Sequence, residues 1–332
     1  MTNRIKWIML GILILLLIAL PWIGLGNYLL QVLINSLTYG MLGLAFALTL
    51  KVGLPRFDAA AWWAVGAYTS AELIQKAGWP FWPTILIAGI VSVILGWICY
   101  VVAMPRGMMV FLLFSMVIVL AIYQILGSVK FFGGWGGTGV LPPVSIGNFE
   151  FTSQTSLYLL GLCFLALNVV VYYLLFHSRI GRAWDAIGSS LKLASSVGVD
   201  VVKYRMVNVL IGNFFLGLAG SYTFACNQLA TPSLASFSSS VNVMMYVVVG
   251  GMRFSLAGPL IGAVIITFIP EYLRAAREWK DVFSSIAIIL IIIFLPQGLL
   301  GLFEKYIIPW FTRSRFFARL RGKTKEEPLT SS

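Results

Sequence analysis

Met108-Met-Val-Phe-Leu-Leu-Phe-Ser-Met-Val-Ile-Val-Leu-Ala-Ile-Tyr-Gln-Ile-Leu-Gly-Ser-Val129 decides the architecture of this chain. The run contains no charged residue, and at a rise of about 1.5 Å per residue a helix of this length covers the roughly 30 Å hydrocarbon core of a bilayer. A helix in water would set a charged stripe against an apolar one, and no such stripe is available here. Lipid is therefore the solvent for this segment. Working outward, the same reading gives Trp7 to Leu25, Tyr28 to Leu50, Phe57 to Ile74, Pro83 to Met104 and Leu157 to His177. It continues through Met206 to Leu229, Ser239 to Met252, Leu256 to Leu273 and Val282 to Phe303. The expectation is an all-α polytopic membrane protein of about ten spans. Gly, Pro, Ser or charged residues interrupt the third, eighth and ninth, which are candidates for re-entrant or broken helices.

Composition agrees. The 332 residues are 60% hydrophobic and 10% charged, against roughly 45–50% apolar and 25% charged in a soluble domain. The formal charge of +12 would point to nucleic acid if it formed one face of a soluble fold, but the basic residues fall between the apolar runs and read as topology signals. No nucleic-acid partner is expected. Cys99, Cys163 and Cys226 show no CxxC spacing, so buried free thiols are expected, without disulfide or metal. The first run follows Arg4 and Lys6 like a signal peptide, yet it is longer than an h-region and lacks an A-x-A-like site, so it reads as a retained helix.

Charge distribution sets the orientation. With the N-terminus inside and ten crossings, only Lys76, Lys130, Arg274, Arg277 and Lys280 fall outside, and the remaining Lys and Arg face the cytoplasm. The positive-inside rule thus predicts both termini on the inner side of the membrane. Residues 1–312 form the membrane domain, and the basic tail 313–332 is expected to be disordered and to rest on anionic lipid. Trp62, Trp63, Trp79, Trp82 and Trp310 read as an interfacial belt.

Two loops stand out. The outside loop 130–156 carries Gly133-Gly-Trp-Gly-Gly-Thr-Gly139 and then Pro142-Pro143, flexible first and stiff afterwards. In the inside loop 178–205, Leu191, Ala194 and Val197 recur at a three-residue step. Ser189 or Ser190 can cap a short helix there, and Gly198 fits its C-terminal end. Such a helix can dock on a soluble motor and pass rigid-body motion to the spans, or it can lie on lipid headgroups.

Gly181-Arg182-Ala183, the stretch Ala194 to Val199 and Lys203-Tyr204-Arg205 resemble the coupling loop of the branched-chain amino acid permease family of ABC importers, which reads approximately G-R-A-x-x-A-I-R-E-N-E-x-A-A-x-x-L-G-I. Leu216-Gly-Leu-Ala-Gly220 resembles the family's A-G-L-A-G run. Ala230-Thr-Pro232 stands where a proline-bearing external loop is usual. Val249-Gly-Gly-Met-Arg-Phe-Ser-Leu-Ala-Gly-Pro-Leu-Ile-Gly-Ala263 resembles its G-G-x-G-x-x-x-G-P-x-x-G-A signature, and Leu295-Pro-Gln-Gly-Leu-Leu-Gly301 its P-x-G-L-x-G. Val65-Gly-Ala-Tyr68 is similar to G-I-G-A-Y, but the preceding G-Q-x-S-L-G-H is replaced by Gly53-Leu-Pro-Arg-Phe-Asp58. Gly188-Ser189-Ser190 likewise replaces the acidic residues of the coupling loop.

The resemblance implies the permease fold of ABC importers. It implies a second homologous permease, cytoplasmic ATPase subunits and a periplasmic or lipid-anchored solute-binding protein as partners, beside membrane lipids. Gly181, Arg182, Ala183, Ser189, Leu191, Ala194, Val197 and Gly198 would then meet the ATPase. The solute would be a branched-chain or other amino acid, with urea or short amides as the alternative. The chain has no G-x-x-x-x-G-K-[ST], so ATP hydrolysis would belong to a partner; no enzyme activity and no cofactor are expected.

Intramembrane polar residues are costly and mark pathways or interhelical bonds. Asn35 and Asn213 sit deepest and are the leading pathway candidates. Asp58 lies two residues after Arg56 at the cytoplasmic edge, where topology and local pairing account for it. Gly250 and Gly251 stand where a helix can break and expose backbone to a solute. Gly66-Ala-Tyr-Thr-Ser-Ala71 and Gly220-Ser-Tyr-Thr-Phe-Ala225 resemble each other as an internal repeat would, adding Tyr68 and Tyr222 to the pathway candidates. A secondary transporter would typically need a carboxylate well away from the interfaces, and a membrane enzyme clustered His or acidic residues. The spans place Asp58 and Glu72 near their ends and offer no such cluster.

Overall fold

The computed structural model describes residues 17–23, 26–139, 145–146, 149–150, 153–252, 255–273, 279–294 and 298–302. Most of the first expected span and the whole 313–332 tail lie outside the described residues. The helices are α1 (Asn27–Leu50), α2 (Ala59–Ala77), α3 (Phe81–Ala103), α4 (Met108–Ser128), α5 (Gln154–His177), α6 (Arg179–Ser189) and α7 (Leu191–Ser196). They continue as α8 (Val201–Asn227), α9 (Phe237–Gly250), α10 (Ala257–Tyr272), α11 (Lys280–Phe294) and α12 (Gly298–Leu302). Four two-residue strands complete the order: β1 (Thr138–Gly139), β2 (Ser145–Ile146), β3 (Phe149–Glu150) and β4 (Leu229–Ala230).

Among the described residues, five helices are long and apolar enough to cross a bilayer: α1, α3 with its 3-10 extension to Arg106, α4, α5 and α8. They divide by environment. Within their most apolar stretches 83% of α1 and 78% of α8 is buried inside the protein, against 33%, 28% and 22% for α3, α4 and α5. The outer three present Leu, Ile and Val to lipid. The inner pair can carry Gly, Asn, Ser and Thr because other helices satisfy them. Helix α2 belongs with the inner pair, its residues from Ala59 to Ala71 almost entirely buried. Helices α9 and α10 are shorter apolar helices, separated where the glycine pattern foresaw a break.

The most extensive helix contact joins α2 to α8. Gly66 lies on the Gly217 carbonyl and Gly220 on the Trp63 carbonyl, leaving no room for a Cβ at either glycine. Ser70 Oγ meets Ser221 Oγ at 2.6 Å and Trp63 Nε1 donates to Thr223 Oγ1 at 2.8 Å; Gly66 opposite Gly217 and Ser70 opposite Ser221 advance together along both chains, so the two helices run parallel. The repeated hexapeptides thus face one another, making one contact twice with the helices' roles exchanged. At the end of α8 carrying Asn227, β4 pairs antiparallel with β1 (Thr138 opposite Ala230), and Thr138 Oγ1 donates to Gln75 Oε1 at 2.6 Å. The glycine-rich part of loop 130–156 is therefore fastened over the ends of α2 and α8.

All three cysteines are free, but Cys163 is exposed on α5 and Cys99 and Cys226 are half-buried. The expectation of buried thiols fails at Cys163 because an apolar run in a bilayer has a lipid face that apolarity alone cannot distinguish from an interior one.

Candidate functional site

Segment 178–205 contains two helices where the sequence reading expected one. Ser178 ends α5 and caps α6, its Oγ accepting from the Gly181 amide at 3.2 Å. Helix α6 buries Gly181, Trp184 and Ile187, a three-residue step that sequence reasoning passed over. Trp184 is fully buried and its Nε1 donates to the Tyr204 carbonyl at 3.0 Å. Asp185 forms an ion pair with Lys51 at 2.6 Å, and Lys51 Nζ also sits 4.4 Å over the Phe176 ring. Arg182 is exposed and Ala183 half-buried.

Ser190 begins α7, its Oγ accepting from the Leu193 amide at 3.4 Å; Ser189, the other capping candidate, ends α6. Val197 lies at the end of α7, and Gly198 follows at φ +83°. The Val199 amide donates to the Ala194 carbonyl and the Gly198 amide to the Ser195 carbonyl, each at 3.1 Å. This is a Schellman close, in which the left-handed residue turns the chain into α8. Of the expected stripe only Ala194 packs inward, at 1% exposure; Leu191 is 42%, Leu193 69% and Val197 76% exposed. Helix α7 is thus a capped projection with apolar side chains turned away from the bundle.

The connector between α1 and α2 carries a second constellation. Arg56 and Asp58 pair at 2.6 Å with both side chains fully buried. The Tyr100 hydroxyl donates to Asp58, and Trp62 Nε1 reaches Asp58 Oδ2 at 3.1 Å and the Tyr100 oxygen at 2.7 Å. Arg56 Nη2 donates to Asn213 Oδ1 at 2.7 Å, and the Phe57 amide donates to Ser115 Oγ at 3.0 Å. The adjoining Asp58 carboxylate supplies the counter-charge that a fully buried guanidinium needs. The network joins the connector to α2, α3, α4 and α8. The local pairing of Asp58 with Arg56 expected from their spacing is present, while Trp62 and Trp63, read as belt residues, are buried inside the protein. The connector dips into the bundle, and counting charges along a sequence registers segment order, not depth. The connector is pinned to α8 again by Arg205, whose Nη2 donates to the Val52 carbonyl at 3.1 Å, and the end of α1 by Asn208, whose amide donates to the Leu48 carbonyl at 3.0 Å.

The pathway candidates are dispersed. Asn213 belongs to the buried network. Tyr222 is buried and donates to the Leu157 carbonyl at 2.9 Å. Tyr68 is buried with its ring edge-on to Phe132 at 5.9 Å. Gly250 and Gly251 end α9, where Gly250 packs on Gly258 of α10. Asn35 is half-buried on α1 and lines a small cavity.

A profile described as "branched-chain amino acid transport system / permease component" matches residues 28–294. The chain belongs to that family. The permease is 26% identical over 317 residues to the high-affinity branched-chain amino acid transport system permease protein LivM of Salmonella typhimurium, covering 86% of this chain and 73% of that one. It is 32% identical over 143 residues to LivH of Escherichia coli, covering 42% and 44%. It is 24% identical over 283 residues to a probable branched-chain amino acid transport permease, LivH, of Methanocaldococcus jannaschii, covering 79% and 88%. No solved structure gives a significant match. The permease is a multi-pass membrane transport subunit of an ABC importer and not an enzyme.

Proposed function

We propose that the permease is the subunit through which an ATP-driven importer moves a small polar solute, foremost a branched-chain or other amino acid, across a bacterial inner membrane. The names of its relatives support amino acids. The substitution of Gly53 to Asp58 for the family's histidine-bearing motif keeps urea or a short amide as the alternative. About ten spans with both termini cytoplasmic fit the distribution of Lys and Arg. The single observation that carries the reading is α7: a helix capped at both ends, seated by Ala194 and presenting Leu191, Leu193 and Val197 outward. A short helix held this way suits a groove on an ATPase subunit.

Motion taken up there has a continuous route inward. Helix α6 holds α7 through one residue, Ser190, and is itself fixed to the connector by the Lys51–Asp185 pair. The connector carries Arg56 and Asp58 to the junction of four helices. A second permease and an external solute-binding protein complete the importer. Tagged permease extracted in mild detergent is expected to bring an ATPase subunit with it. Ala194→Arg, which forces a charge into the seat of α7, is expected to abolish uptake. Purification without any ATPase, together with unchanged uptake in that variant, would overturn the reading.

A further inference from the structure

The cavity beside Asn35 lies where α1, α2 and the Asn227 end of α8 meet the turn Pro232–Ala235. It measures about 90 Å³. Its lining includes the Asn35 and Asn227 amides, the Thr38 hydroxyl and the Cys226 thiol on the walls, Tyr39, Trp63 and Thr223 on the side taken as its floor, and Leu234 of the turn. The floor is fixed: Trp63 donates to Thr223 at 2.8 Å, and the Tyr39 ring stacks on Tyr246 at 5.1 Å. In the walls Thr38 Oγ1 already donates to the Ile34 carbonyl at 3.1 Å. Among the described residues neither the half-buried Asn35 nor the exposed Asn227 has a side-chain hydrogen-bond partner, so each amide keeps two donors and an acceptor for whatever enters.

The chemistry of the lining selects. No charged side chain lines the cavity, and burying a charge without a counter-charge costs far more than burying a hydrogen-bonded neutral group. Net anions and net cations are therefore disfavoured. A group presenting adjacent donor and acceptor can pair with an asparagine amide, while the aromatic floor accepts an apolar face. The volume suits several water molecules, hence the head of a solute with a few heavy atoms. A longer solute would have to lift the Leu234 turn.

We propose that this cavity is a solute-recognition site of the permease. It reads small net-neutral solutes by a paired donor and acceptor, as in a carboxamide, a urea or the carboxylate-ammonium end of an amino acid, with the Trp63–Thr223 bond as its closed floor. The proposal rests on the importer reading above and names the residues that would discriminate.

The test uses the assembled importer, with Cys99 and Cys163 replaced by Ala, Cys226 kept because it lines the cavity, and Leu234→Cys as reporter; labelling of the same protein without Leu234→Cys is subtracted. The rate of labelling by a small uncharged maleimide is measured with L-leucine, urea or acetamide present, and with L-glutamate and L-lysine as charged controls. At saturating L-leucine, or at saturating urea or acetamide, labelling is expected to slow several-fold; the protecting compound tells amino acid from amide. Adding Asn35→Ala should raise the concentration needed for protection by about 2- to 10-fold, the scale of one lost hydrogen bond. Asn242→Ala, an exposed asparagine on α9, should leave it unchanged. Protection by none of the neutral compounds, or equal protection by L-glutamate and L-lysine, overturns the cavity proposal. If the ATPase still co-purifies in that case, the importer reading stands without the cavity.

Discussion

Helices α6 and α7 adjoin in sequence, are both short, and treat their apolar residues in opposite ways. Trp184 and Ile187 of α6 are buried at 0% and 2% exposure, whereas Leu193 of α7 is left at 69%. An apolar side chain withdrawn from its surroundings stabilises the seat it fills; one left projecting adds nothing to the fold and is available to a partner. The pair teaches that the coupling segment is an anchor followed by a probe. Most of the residues that the family resemblance groups together as motor contacts divide between those two tasks. Gly181 and Ala194 hold the segment down, Gly198 shapes its exit, and Leu191 and Val197 face outward.

The comparison can be broken at either end. The largest expected effect is at the anchor: Trp184→Ala removes a fully buried indole and its bond to Tyr204, and should cost about 3–5 kcal/mol, the range for deleting a large buried aromatic. A fall in the thermal midpoint of the detergent-solubilised permease would show it, and an unchanged midpoint would mean that α6 is not an anchor. Next is the close of α7. Gly198→Val forces a β-branched residue to φ +83°, at a cost of about 1–2 kcal/mol. The same thermal scan should register a smaller shift than for Trp184→Ala, with uptake reduced because α7 is re-aimed.

The smallest effect on stability is expected at the probe. Leu193→Arg changes an exposed position and should stay within about 0.5 kcal/mol of the parent, yet uptake should fall and less ATPase should co-purify. If Leu193→Arg lowers the thermal midpoint as much as Trp184→Ala does, α7 is a packed element and the contrast between the two helices disappears.

Much of this was legible in the sequence. The apolar runs mark α1, α3, α4, α5 and α8, and the glycines between Gly250 and Gly258 mark the separation of α9 from α10. Ser190 and Gly198 delimit α7, since capping chemistry is local. Helix α6 was missed because glycine opens its buried stripe, leaving only Trp184 and Ile187 with apolar side chains to mark the step. The pairing of Arg56 with Asp58 was legible, but its full burial was not, for a different reason. Two opposite charges after an apolar run have the same sequence signature whether the chain turns in water or enters the bundle.

The sequence by itself determined that this chain lives in lipid, which family it belongs to, and which short helix projects from it, because hydropathy, capping and motif spacing are properties of neighbouring residues. The tertiary structure alone decided which polar groups meet. The bonds of Tyr100 and Asn213 to the Arg56–Asp58 pair, the seam of Gly66 and Gly220, and the cavity of Asn35 and Asn227 each join residues far apart in the chain. Where a helix has both a lipid face and an interior face, only packing assigns a residue to one of them.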